Sequence, residues 1–193
     1  LKIYFSLLKN EKNKNVISSI LYGIGHNNDK LTEKQIDIVC SFKNHKSVNV
    51  RHGLVSAILA IDKTKPINTL IQLTKDKDSD IRDWATFGIG TQIETDNLII
   101  RETLWEKTND SDENTRFEAI IGLAKRKDEK IKDILKNELK KINEFGSLIL
   151  EAIEEINDKE FITLIEEQIK KNKVLKKVNE DWLIETLEKL KKN

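Results

Sequence analysis

The side chains able to do chemistry in this sequence are few, and the most regular of them are arginines. Arg51, Arg82 and Arg116 stand 31 and 34 residues apart, preceded by Val50, Ile81 and Thr115. Asp76 stands six residues before Arg82, and Asp110 six before Arg116. A guanidinium carries five donors in a planar fork, and a carboxylate can accept two of them at once. The recurring pair therefore points to charge-assisted hydrogen bonding rather than to proton transfer.

The remaining reactive groups do not assemble along the chain. His26, His45 and His52 have no cysteine or carboxylate at ligand spacing, and a lone Cys40 builds no thiolate site, so neither a metal nor any other cofactor is expected. Gly88-Ile89-Gly90 falls inside a helical pattern and lacks the strand that a dinucleotide loop needs. Cys40, among Ile36, Val39 and Phe42, reads as a buried thiol that nothing orients toward His45 or His52.

Composition narrows the class further. Of 193 residues, 34 are Lys or Arg and 33 Asp or Glu, a net charge of +1 that provides no global attraction to nucleic acid or an anionic membrane. One Pro and seven Gly are too few for the turns of a sheet protein, while abundant Leu, Ile, Lys and Glu suit helices. No apolar run approaches the roughly 18 residues of a membrane span, and no signal peptide is visible. A single cysteine fits a reducing compartment, so a cytoplasmic protein is expected. The chain opens at Leu1 and contains no Met, which leaves an upstream segment open.

A period near 34 residues signals stacked helix pairs that must position these side chains. Three residues after each Arg come Leu54, Ala85 and Ala119, and six after come Ala57, Gly88 and Gly122. Small residues one turn apart let helix axes approach closely. An earlier copy without its Arg carries Ile17, Ile20 and Gly23, and a fainter one occupies 145–156 with Gly146, Ile149 and Ala152. Between these segments lie amphipathic stretches, such as Ile67, Leu70, Ile71 and Leu73 or Ile131, Ile134, Leu135 and Leu139. The repeats read as 1–25, 32–61, 66–91, 96–126, 129–156 and 159–192, six pairs in one domain over 1–193, the first truncated and the last divergent. Thr32 with Gln35 has capping-box spacing, Pro66 suits a first turn, and Ser79 or Asp80 and Ser111 or Asp112 are candidate caps.

An apolar first helix, a short turn with Asp, and a second helix opening with Val or Ile, Arg and small residues resembles the HEAT repeat. The pattern is most similar to the short HEAT-like repeats of the phycobilisome-lyase type, found widely in bacteria, and is fullest over 76–128. His45 in place of the Asp before Arg51, and Ile17 in place of the first Arg, depart from it. The resemblance implies an all-α, right-handed α-solenoid, an α-α superhelix like that of armadillo proteins, with about six stacked pairs. It also implies that Arg51, Asp76, Arg82, Asp110 and Arg116 form a structural ladder between neighbouring repeats, which makes them poor catalytic candidates.

In HEAT-like solenoids the second helices line the concave face. With the positions three and six after Arg buried, those one and five after it point outward at 100° per residue. They hold Ser18 and Tyr22, His52 and Ser56, Asp83 and Phe87, and Phe117 and Ile121, with Trp84 beside them and Trp105 in the core of a first helix. Tyr22, His52, Asp83, Trp84, Phe87, Phe117 and Ile121 are the expected partner-binding residues, since exposed aromatics anchor protein interfaces. The function expected is a non-enzymatic scaffold or adaptor for another protein. The alternative is a DNA glycosylase of the HEAT-like kind, with Asp83 among aromatic walls. Against it stand the balanced charge and the absence of an Asp one turn after any Trp, since Trp84, Trp105 and Trp182 lead to Gly88, Asn109 and Thr186.

Overall fold

Each repeat predicted above forms a pair of α-helices in the computed structural model, which describes residues 1–144 and 146–192. Phe145, where the fainter copy opens, lies outside the described residues. Backbone proximity divides the chain into two compact units, 1–103 and 104–193, with the border inside one helix. Twelve α-helices and no β-strand occur among the described residues.

The first unit holds α1 (Lys2–Leu8), α2 (Lys14–Gly25), α3 (Glu33–Cys40), α4 (Val48–Ile58), α5 (Thr64–Leu73) and α6 (Ser79–Thr91). Helix α1 packs on α2, α3 on α4 and α5 on α6, and the second helices stack as α2 on α4 and α4 on α6. Leu21, Ile24, Val39, Val50, Leu54, Ala57, Leu70, Ile81, Ala85 and Ile89 are fully buried in this stack. Helix α7 (Leu98–Lys107) crosses the border. The second unit continues with α8 (Glu113–Lys125), α9 (Lys132–Lys140), α10 (Ser147–Ile156), α11 (Phe161–Leu175) and α12 (Glu180–Lys192). There α8 packs on α10, α10 on α12 and α9 on α11, around Leu123, Leu135, Leu139, Ile153, Phe161, Ile165 and Leu183. Within each unit this is the packing of an α-solenoid, in which each pair buries its apolar stripe against its neighbours.

Local signals set the helix starts. The capping box at α3 is complete, with Thr32 Oγ1 accepting from the Gln35 amide and Gln35 Oε1 accepting from the Thr32 amide. Asp112 caps α8, as one of its two candidates required. Helix α6 is capped one residue earlier than expected: Asp78 accepts from the Ile81 amide, and Ser79 and Asp80 are already helical. Asp78 takes the role because its extended backbone turns the carboxylate onto the first free amides.

The arginines hold the turns between the helices of a pair. Arg51 Nη1 donates to the carbonyls of His45 and Lys46, Arg82 Nη1 to those of Asp76 and Lys77, and Arg116 Nη1 to those of Asp110 and Ser111. Asp76 Oδ1 accepts from the Asp78 amide and Asp110 Oδ1 from the Asp112 amide, each at 3.0 Å. Arg51 also reaches into the next repeat, with Nε 2.6 Å from Asp76 Oδ2 and Nη2 2.8 Å from Asp76 Oδ1. Both side chains are under 10% exposed, at 6% and 8%. Burial alone would push the Asp76 carboxyl up. The Arg51 fork, the Asp78 amide and the field of Arg51 outweigh it and hold that carboxyl below its ordinary value, while the bond to Asp76 raises Arg51.

Removing one member of such a pair leaves a buried charge without its partner, so Arg51→Ala is expected to destabilise the fold by about 3–5 kcal/mol. Lys63→Ala, which breaks the exposed Lys63–Glu33 pair, should cost under about 1 kcal/mol in the same urea titration. Equal losses would show that the buried fork holds nothing special. The depressed Asp76 carboxyl contributes stability that is complete above the ordinary value of 3.8 and is lost as pH falls through the folded value below it. The gap in melting temperature between the protein and Asp76→Asn should accordingly narrow only below that pH, and a gap that narrows nearer neutrality would assign it to another group.

Candidate functional site

The expected partner-binding residues separate into an open set and a buried set. Tyr22 on α2 is 41% exposed and Trp84 on α6 is 47% exposed, while His52, Asp83 and Phe87 are half-buried. Phe117 and Ile121 on α8 are 8% and 1% exposed, so they are packing residues and not a binding surface. Their i, i+4 spacing makes one apolar ridge, and burying two such side chains is worth a few kcal/mol, roughly 1.5–3 each. Trp105 is half-buried rather than wholly internal, because its indole Nε1 donates to Asp128 Oδ2 at 3.0 Å.

Within the first unit, Tyr22, His52, Val55, Ser56, Leu59 and Trp84 surround a pocket of about 240 Å³. Tyr22 comes from α2, while His52, Val55 and Ser56 come from α4, which closes at Leu59. The helices approach closely here because Gly25 and Gly53 face backbone. An added Cβ at Gly25 would sit 2.7 Å from the Ser56 carbonyl oxygen, and one at Gly53 3.0 Å from that of Ser18. Ser18, just after the position that lacks an Arg, donates to the Asn49 carbonyl and ties α2 to the start of α4. Trp84 stands edge-on to Phe87, with ring centroids 5.6 Å apart and planes at 90°, so the exposed indole is held in place from within its own helix.

His52, one of the residues that line the pocket, also belongs to an acidic grouping. Ligand atoms of His52, Asp78 and Asp80 lie within 4.8 Å of one another, a grouping hidden in the sequence because 26 and 28 residues separate the histidine from the two carboxylates. The stacking of α4 on α6 brings them together. Asp78 is committed to capping α6 and lies in the field of Arg51, whereas Asp80 is exposed and forms no ion pair among the described residues. Val55 and Leu59 line the pocket from positions that the repeat pattern does not mark. The usable signal was the spacing of Asp80 and Trp84, which at i, i+4 share one face of α6.

The other groups with chemical potential have structural roles. Cys40 is 2% exposed, and burial pushes its thiol up, tempered by a hydrogen bond with Thr69 and by nearby Lys65, so it stays a neutral core residue. His45 Nδ1 accepts from the Ser47 amide, the place that Asp76 and Asp110 fill in the following repeats.

No family model matches the chain. In sequence it is similar to protein YibA of Escherichia coli K12, with 39% identity over 126 residues, and equally to protein YibA of Escherichia coli O157:H7. Those residues are 65% of this chain and 44% of the relative, so the chain spans less than half the length of the curated relatives it matches. In structure it is similar to the X-ray structure of Escherichia coli YibA, with a TM-score of 0.60 and 26% identity. That superposition covers the whole of this chain and 81% of the other. The bacterial likeness thus supports the all-helical, repeat-like fold. No helix among the described residues is long and apolar enough to cross a membrane.

The pocket depends on the close approach of α2 and α4. Gly25→Ala meets the Ser56 backbone and should destabilise by roughly 1–3 kcal/mol through overpacking. Gly88→Ala meets only the Leu70 and Leu59 methyl tips, at 3.0 and 3.2 Å, and gains about 1 kcal/mol of helix propensity, so near-neutrality is expected. Thermal melts of the two variants check the order, and a more costly Gly88→Ala would contradict it.

Proposed function

We propose that the chain is a non-enzymatic binding module that presents the Trp84 pocket of its first unit to another protein. The carrying observation is a tryptophan 47% exposed to solvent yet fixed against Phe87 at the edge of an apolar pocket. A large aromatic held ready in this way supplies contact area at little cost in ordering, which is what an interface anchor requires. The reading includes HEAT-type repeats of the phycobilisome-lyase kind and a cytoplasmic location, the compartment that a lone buried cysteine suits. Excision of a base from DNA gains no support, because Asp78 and Asp80 beside the pocket would repel the phosphates that such an enzyme must hold.

The test is site-specific photocrosslinking in the native cell, with a benzophenone side chain at Ser19, exposed on α2 one turn before Tyr22, and, as control, at Ile38, an exposed site on a first helix. A protein adduct of discrete mass is expected from position 19, weakened by Trp84→Ala and absent from position 38. Adducts from position 38 alone would move the interface to the first helices and overturn the assignment.

A further inference from the structure

Resting on that reading, we propose that the pocket between α2, α4 and α6 accepts the side chain of one arginine of the partner. The pocket has room for a single long side chain. At about 240 Å³ it is smaller than the roughly 300–1,000 Å³ of small-molecule sites. Its lining selects the kind of side chain. Tyr22, Val55, Leu59 and Trp84 offer an apolar and aromatic wall, which suits a long stem and a flat head group. Beyond His52, which belongs to both groupings, stand the Asp78 and Asp80 carboxylates, which suit a positive end.

Arginine meets both demands at once. Its guanidinium stacks on an indole face and takes a carboxylate with two parallel donors, and its weak hydration makes it easier to bring out of water than an ammonium. Asp80 and Trp84, one turn apart on the same face of α6, are spaced for one residue to touch both. A lysine would satisfy the charge without the flat stacking surface. Leucine or phenylalanine would fill the wall and leave the carboxylates unanswered, and an acidic residue would be repelled. A bare divalent ion fits less well than any cationic side chain. Asp78 Oδ1 already accepts from the Ile81 amide, which leaves a metal few ligand atoms beyond His52 and Asp80, whereas a guanidinium fork needs no more than one carboxylate.

Random twelve-residue peptides displayed on phage are selected on the full chain and counter-selected on Trp84→Ala, and the surviving peptides are synthesised for affinity measurement. The expected survivors share an arginine. Replacing it by leucine, or introducing Asp80→Asn into the protein, should weaken binding at least tenfold, with arginine-to-lysine falling between. Asp80 is exposed, so its variant should melt like the parent; if Trp84→Ala melts early, Trp84→Phe replaces it in the counter-selection. Survivors that depend on Trp84 but share no arginine, or that lose less than threefold with Asp80→Asn, overturn this inference and leave the groove reading standing. A selection in which no peptide depends on Trp84 overturns the groove reading as well.

Discussion

A stack of helix pairs has to turn the chain sharply between the helices of each pair, and the carbonyls of those turns lie near the packed faces. The bidentate bond from Arg51 to Asp76, with the second arm of Arg51 on its own turn, answers that constraint. One planar group satisfies two turn carbonyls of its repeat and the carboxylate of the next. The carboxylate in turn accepts the Asp78 amide, two residues before Asp80 and six before Trp84, so the start of α6 is tied to α4 through one buried pair. An ion pair as dry as this adds little over an apolar contact in stability, and its directed bonds instead fix how one repeat sits on another.

The two departures from the repeat pattern are one adjustment when seen this way. A carboxylate at position 45 would look back to an arginine at position 17, and Ile17 occupies that place. Without the arginine, a carboxylate at this half-buried position would lack a counter-charge. His45 replaces the carboxylate and keeps the useful half of the contact, its Nδ1 accepting from the Ser47 amide. The last pair solves the same problem from the other side. Asn172, near the end of α11, donates to the Val178 carbonyl and accepts from the Lys177 and Val178 amides, closing the turn to α12 with a neutral side chain.

Much of this was legible from the spacing of a few residues. The helices fall within the expected repeat ranges, save that α5 opens two residues before Pro66, because small residues and aliphatics recur at positions that packing requires, and the bond from Arg51 to Asp76 joins two residues that the resemblance placed in one ladder. The surface was less legible. Positions one and five after each Arg look equivalent in sequence, yet Tyr22 remains open and Ile121 is closed, since a helical period gives the direction of a side chain and not the height of its neighbours. The acidic grouping was invisible for a different reason. His52, Asp78 and Asp80 come from successive repeats, and only the stacking distance decides that they meet.

That same stacking accounts for where an open pocket can exist at all. Close approach of α2 and α4 requires Gly25 and Gly53, and without side chains there the wall between the helices is low. Opposite it, α6 carries Trp84 where the corresponding places hold Ser19 and Gly53, so a tall wall faces a low one across α4. The depression lined by Val55, Ser56 and Leu59 follows from that mismatch in height. Filling it by a larger residue on α4 would bring the indole less area to cover, whereas leaving it open exposes apolar surface at a standing cost of about 25 cal/mol per Å². Repeat packing needs neither the tall wall nor the exposed carboxylate of Asp80, and the arginine proposed above would make use of both.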